Sequence, residues 1–554
     1  MKFNFEYLFC FLVIIFSVLL ISVSSVCAED VDNQTIPAVS EFSSTNYVIN
    51  QSEADSGNGA GTFDDLQVEI NNAPAGSVLN LIRDYNGAYG FRIQFNKDLT
   101  IDGQGHTLDC LNTECTAFYS SSGNITLINL KIINGHNDDN YKGGAIHIEG
   151  SAQYTIINCT LNNNWADDYG GAIYNGVNKP LTIINSTFNN NEADDESGGA
   201  IYSVGDVYLE NSILNSNIAY SNGGAIFCSK NAYITHCLFE LNKADGAEYT
   251  ECRGGAIYCK KDLTVDNSTF RNNYAFDYGG AVYAEHIYVN SNQDSNQSFF
   301  IDNEAGMHDG GAVYSWGASN ITNAVFITNI AYEYGGAIFC TRKLDIAHCL
   351  FESNKADGAF VLQCKGGAIY CKDDLTVDNS IFRNNYAGDY GGAIYADTLE
   401  LKPGCIFDSN TAYENHGGAI WVNKFREDVK YVKFINNKAG AKGDGGAIYI
   451  DDENWVTFSQ CEFADNRCGN QGGAIYLDSS SSHLILSNNI FISNSAKEGQ
   501  TVYNCGKFNS INNNWWGGKN PSSGNDQLVE WKMWPWSNIY YSDSNPLKFP
   551  LIYF

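Results

Sequence analysis

Arginine is scarce here, eight residues in a chain of 554, and the formal net charge is −31. Nucleic acid and anionic membrane surfaces both reward clustered Lys and Arg, so neither is an expected partner. The same balance suits a soluble, exposed protein that attracts cations. A 3.6-residue apolar period is also missing from the repeated body of the chain, which excludes an array of amphipathic helices. Beyond Tyr7 to Val23 no second hydrophobic run approaches the length of a membrane span. Cys-X-X-Cys spacing is absent among the 17 cysteines, which removes the usual zinc reading.

What the chain has instead is repetition. Gly-Gly-Ala followed by Ile or Val begins at Gly143, Gly170, Gly198, Gly223, Gly254, Gly279, Gly310, Gly335, Gly366, Gly391, Gly417, Gly445 and Gly472, every 25 to 31 residues. Phe or Leu with Asn three residues later follows each copy after 16 to 21 residues, as at Phe188 with Asn191, Phe270 with Asn273, Phe326 with Asn329 and Phe463 with Asn466. Such an array fixes the architecture before any single residue is weighed. Runs such as Ala256 to Cys259 and Leu263 to Asp266 favour a pleated, half-buried surface, and units this short must stack to bury a core. Propeller blades need about forty residues, more than this period offers. The expectation is an all-β, right-handed, single-stranded parallel β-helix of about 13 regular rungs, roughly 60 Å long before its caps. Gly-Gly permits a sharp bend, and the Asn after Phe suits a left-handed turn and a rung-to-rung side-chain ladder.

The flanks differ from the array. Residues 1–28 read as a secretory signal, with Lys2, the apolar stretch Tyr7 to Val23 and a cleavage site at Val26-Cys27-Ala28; an uncleaved anchor is the alternative. The mature chain is then exported, secreted or held at a cell surface, and is not an integral membrane protein. Residues 29–60 form a polar leader, and residues 61–120 an N-terminal cap with the first irregular rungs. Thr62-Phe-Asp-Asp65 has the form of a capping box opening a short helix, with Phe63, Leu66 and Ile70 on one face and Pro74 ending it. That helix would cover the open end of the solenoid, whose bare strand edges invite pairing. Regular rungs occupy 121–511; residues 512–554, with five of the nine Trp, form a C-terminal cap or a wall- or glycan-binding tail.

Without the signal, fifteen Cys remain. Cys228, Cys237, Cys252 and Cys259 recur 112 residues later as Cys340, Cys349, Cys364 and Cys371, inside a block where Gly223 to Tyr283 and Gly335 to Tyr395 agree at 45 of 61 positions. The second set is a copy, not independent evidence for a framework. The position of Cys228 and Cys259 is elsewhere Ala, Ile, Val or Leu, as in a core column, so buried thiols are expected rather than a disulfide. Each block carries an insertion, Lys243 to Arg253 and Lys355 to Lys365, expected to project from one side of the rod.

The paired Gly-Gly-Ala-Ile/Val and Phe-X-X-Asn signals resemble the repeats of the chlamydial polymorphic outer membrane proteins, which are adhesins. The leader, Asp102-Gly-Gln-Gly-His106 and the Asn512-Asn-Asn-Trp-Trp-Gly stretch are similar to the secreted adhesin-like proteins of methanogenic archaea. The resemblance covers nearly the whole mature chain. It implies a β-helix adhesin that binds cell-surface glycans or proteins. No C-terminal barrel is evident, a departure from the chlamydial pattern that speaks against self-insertion into an outer membrane.

Parallel β-helices also carry pectin and polysaccharide lyases and glycoside hydrolases, and an enzyme of that class is the alternative function. Paired carboxylates are available at Asp138-Asp139, Asp167-Asp168, Asp194-Asp195, Asp373-Asp374 and Asp451-Asp452, but Asp is simply a good turn residue. A lyase needs a base beside calcium-held carboxylates, and Arg is scattered. No His, Arg or Asp interrupts a regular rung, and His106, His147 and His308 read as turn or surface residues. The expectation is a non-enzyme with no cofactor and no catalytic residue. Acids stand two residues before Gly-Gly at Asp168, Glu196, Asp277, Glu333 and Asp389, and read first as solvated turn carboxylates. Asp168 and Glu196, on neighbouring rungs, are where Ca²⁺ would sit, although the glycine-aspartate nonapeptide of calcium-binding β-rolls is absent.

The residue directly after Gly-Gly-Ala-Ile/Val is Tyr174, Tyr202, Phe227, Tyr258, Tyr283, Tyr314, Phe339, Tyr370, Tyr395, Trp421, Tyr449 or Tyr476, with His147 in the remaining copy. Strand alternation sets it opposite the aliphatic column and so on the outside of the rod. A structural ladder would look the same. An exposed apolar stripe of this length marks a binding surface, and flat rings at a regular rise suit glycan chains or another protein. These twelve rings are the candidate binding residues.

Overall fold

The computed structural model describes residues 59–516, apart from 139–141, 247–250, 291–296, 359–362, 453–454 and 481–482. The signal segment, nearly all of the leader, most of the Trp-rich tail and the middles of both insertions lie outside the described residues. Within them, short strands stack as an all-β parallel solenoid of about 16 turns. A regular rung supplies four strands, for example Ile173–Asn175, Leu181–Ile184, Thr187–Asn189 and Glu192–Ala193. Strands of the third kind make a 17-stranded sheet, here called the Phe face. The other strands join around the rod into a 36-stranded sheet, and a 4-stranded sheet takes over one face near residue 500. Turns beyond the thirteen motif copies come from strands that lack the motif. Val78–Asn80 pairs with Leu99–Asp102, which pairs with Asn124–Ile128, and Val502–Asn504 adds to Ile475–Leu477.

Both glycines of the motif are required, for different reasons. The first, such as Gly335 at φ +65°, takes the left-handed conformation that L side chains avoid. The second lies flat on the next rung: a Cβ on Gly336 would overlap the carbonyl oxygen of Gly367 and sit 2.5 Å from the Lys355 nitrogen.

The Asn of Phe-X-X-Asn builds the ladder expected of it. From Asn164 to Asn494 each side-chain Nδ2 donates to the Oδ1 of the next rung's Asn at 2.9–3.0 Å. The backbone N–H of the same residue donates to that oxygen too, and the second amide hydrogen reaches the carbonyl of the preceding rung's Phe, as in Asn329 to Phe300 at 2.8 Å. Every donor of a buried amide is thereby used inside the rod. The left-handed turn falls elsewhere than expected. It belongs to the residue before the ladder Asn, Asn190 at φ 52° and Asn272 at φ 54°, which turns the chain so that the following amide points into the rod. Beside the ladder, the Phe rings from Phe239 to Phe491 stack with centroids 4.7–5.1 Å apart, the rung spacing itself. Trp516 closes that stack on Phe491 at 4.6 Å.

The single helix among the described residues, Phe63–Asn72, carries the full capping box, with the Asp65 N–H donating to Thr62 and the Thr62 N–H to the Asp65 carboxylate. Its apolar face, Phe63, Leu66 and Ile70, is buried on the first turn of the core. No described helix is long and apolar enough to cross a membrane. Cys228 and Cys259, and likewise Cys340 and Cys371, are in-register neighbours held as buried thiols. Burial pushes the Cys237, Cys349 and Cys461 thiols up to about 12, which leaves them unreactive; only Cys505 among the described cysteines is exposed.

Candidate functional site

Each Gly-Gly corner starts a strand in which Ile points into the core and the next ring points out. In-register pairing, such as Tyr174 with Tyr202 and Tyr202 with Phe227, sets the rings directly above one another. Consecutive centroids lie 4.1–5.4 Å apart from Tyr174 to Trp421, with ring planes within 20°. The column then steps 6.3 Å to Tyr449 and continues through Tyr476. All twelve candidate rings are therefore brought into one line. Two members were missed because their strands lack Gly-Gly: Tyr119 packs on His147 at one end, and Tyr503 on Tyr476 at the other.

The column is not a bare stripe. Phe339 is fully covered and Phe227, Tyr258, Tyr449 and Tyr476 are 5–9% exposed, while the rest are half-buried. A second row of rings at the corner, immediately before Gly-Gly, supplies the cover. Tyr169 packs on Tyr202, Tyr278 on Tyr314, Tyr334 on Tyr370 and His416 on Tyr449, at 4.6–5.2 Å. Cations lie over the same faces: Lys142 on Tyr174, Arg253 on Tyr283, Lys365 on Tyr395 and Lys372 on Phe339, at 4.8–5.3 Å. Burial raises the phenols of Tyr202, Tyr283 and Tyr370 to about 12, so these rings stay neutral donors. The second row, half-buried and rimmed by cations, is the more accessible aromatic edge.

Acids gather along the same corner. His308 lies between Asp277 (3.8 Å) and Glu333 (3.6 Å) and stacks on Tyr278 at 4.8 Å. Asp309 follows it, where the adjoining rungs have Tyr278 and Tyr334, and accepts a hydrogen bond from the Tyr334 N–H. Burial, then the charge of Glu333, raises its carboxyl to about 8, partly offset by Lys372. Sequence reading passed over Asp309 because the residue before Gly-Gly varies from rung to rung. A folded-state pKa raised from 3.8 means that the fold holds this proton, so its stabilising contribution is complete below about pH 4 and lost as pH rises to about 8. Asp309→Asn, neutral throughout, should match the parent near pH 4 and exceed it at pH 9 by more than about 1 kcal/mol in chemical denaturation. Equal stability at both pH values would show that Asp309 is ionised without cost.

A second acidic group joins Asp167, Asp168 and Asp195, whose oxygens lie within 4.8 Å of one another. Asp168 thus meets Asp195 across the rung, and Glu196 is near enough to feel its charge. Burial, then mutual repulsion, raises the Asp167 and Asp168 carboxyls. These three are the described residues that could hold a cation.

Models of known families agree with this geometry. A right-handed β-helix region matches residues 311–471 and 367–528. The fold is a right-handed parallel β-helix. The Chlamydia polymorphic membrane protein repeat matches residues 158–176 and 185–204, so the chain carries repeats of the polymorphic-membrane-protein type. No curated protein matches it. A solved structure, the PL6 family alginate lyase AlyGC, aligns over 83% of this chain and 93% of its own at 11% identity and a TM-score of 0.21, a likeness too low to bear on this chain's chemistry.

Proposed function

We propose that this β-helix is a secreted or cell-surface, adhesin-like rod that binds glycans or other cell-surface partners along its Gly-Gly corner, and that it acts by binding rather than by catalysis. One observation carries the reading: an unbroken line of rings at the rung spacing, rimmed by a second row of tyrosines and cations. Sugar rings present flat C–H faces and hydroxyls, which such an edge meets with aromatic faces, neutral phenols and ammonium or guanidinium donors. Support comes from the polymorphic-membrane-protein repeats and from the likeness of the chain's flanks to archaeal adhesin-like proteins. In the same reading Asp167, Asp168 and Asp195 hold Ca²⁺, and a melting temperature unmoved by calcium and by chelator would remove that part.

The twelve column rings are structural backing and the second row makes the contact. Changing Tyr278, Tyr334 and Tyr390 together to Ser should lower binding to glycan and cell arrays by about tenfold or more, since each aromatic contact is worth about 0.5–1.5 kcal/mol. Melting should shift by only a few degrees. Full binding by the folded variant would refute the corner as the contact surface.

A further inference from the structure

The outward side of the Phe face carries a feature that ligand binding at the Gly-Gly corner does not use. The residue before each Phe points away from the core, and over eight successive strands it runs Ile213, Leu238, Thr269, Phe299, Val325, Leu350, Ile381 and Ile406. At about 4.8 Å per strand this ridge is about 38 Å long. Val325, Leu350 and the adjacent Ile327 form an apolar cluster separate from the core, with Phe299, Ile301 and Ile381 packed around it. The residue after each Phe makes a parallel column, reading Glu240, Arg271, Ile301, Ile327, Glu352, Arg383 over the six central strands.

That second column is complementary to its own reversal. A two-fold axis along the strand direction, between Ser298–Ile301 and Ala324–Ile327, keeps each column and reverses the order of rungs. It sets Ile301 against Ile327, Arg271 against Glu352 and Glu240 against Arg383, while every ridge residue meets an apolar residue or Thr269. A parallel pairing about the rod axis would instead exchange the columns and lay Glu240 and Arg271 on Leu238 and Thr269. Within one chain the charges already pair, Arg271 with Glu240 at 2.6 Å and Arg383 with Glu352 at 3.0 Å. The Arg383 Nε is used in that pair, whereas the buried Nε of Arg271 has no acceptor among the described residues.

We propose that the Phe face is the interface of an antiparallel homodimer, with a second copy of this chain as its occupant. The strip is narrower than the about 800 Å² per partner of a standard interface, so the dimer should dissociate at about micromolar concentration.

Sedimentation equilibrium of the full chain, from about 1 to 100 µM, tests this with two charge-swapped variants. Glu240→Arg with Arg271→Glu preserves the pair inside each chain but faces Arg with Arg and Glu with Glu across the two-fold. It should leave melting unchanged and weaken the dimer about tenfold or more. Adding Glu352→Arg and Arg383→Glu restores opposite charges at every crossing and should restore the dimer. A parent chain that stays monomeric throughout would overturn the proposal. So would a first variant that dimerises like the parent, or a second that does not recover.

Discussion

Gly336→Ala should abolish the folded solenoid, or split it at one rung, with a melting drop too large to follow as a single transition. The added Cβ meets the carbonyl of Gly367 and the backbone of Lys355, neither of which is a flexible side chain. Relief requires the rungs to separate, and that breaks the hydrogen bonds of the corner, Gly336 N–H to Gly366 O and Ala337 N–H to Ala368 O. Gly76→Ala is the matched control: φ is +77° but nothing lies within 4 Å of the new Cβ, so only the backbone strain of about 1–2 kcal/mol is expected. Thermal scans by circular dichroism distinguish the two. If both variants cost the same, close rung contact is not what the second glycine serves.

Asn329→Leu should cost about 4–6 kcal/mol, because one amide serves several neighbours. Its loss strands the Asn303 N–H and side-chain amide, the Phe300 carbonyl and the Asn354 Oδ1, all inside the rod. Each buried group left unpaired costs about 1–3 kcal/mol, and Leu fits the same space without answering any of them. Asn494→Leu, at the end of the ladder, strands no further Asn beyond it and should cost roughly half as much. Chemical denaturation measures both. Equal losses below about 1 kcal/mol would mean that the ladder is an ornament of the stack.

Much of this was legible in the sequence because each rung repeats the same local demand. Gly-Gly, the Phe column, the ladder Asn and the Thr62 capping box are one-dimensional signals, and the period alone excludes other stackings. The turns outside the motif were not counted, since strands such as Val502–Asn504 reach the same register without Gly-Gly. The left-handed residue was misplaced by one, as turn chemistry and ladder chemistry both favour Asn and only the direction of the side chain separates them. The cover over the aromatic column was invisible because its providers, Tyr169, Arg253, Tyr278, Tyr334 and Lys365, occupy a position with no consensus. Asp309 was hidden for the same reason: its raised carboxyl arises from burial and from Glu333 on the next rung. On the Phe face, Val325-Phe-Ile327 is apolar on both sides of the strand, and a sequence reading assigns all three to the core.

The central claim is that the rod binds without turning its ligand over. Incubating the purified protein with a panel of polysaccharides, while following both retention of intact polymer and release of reducing sugar or unsaturated uronate, tests it directly. The account predicts saturable binding to some polymers that weakens in the Tyr278/Tyr334/Tyr390 variant, with no product released from any. Product release that disappears in Asp309→Asn would contradict it and make the acidic corner an active site.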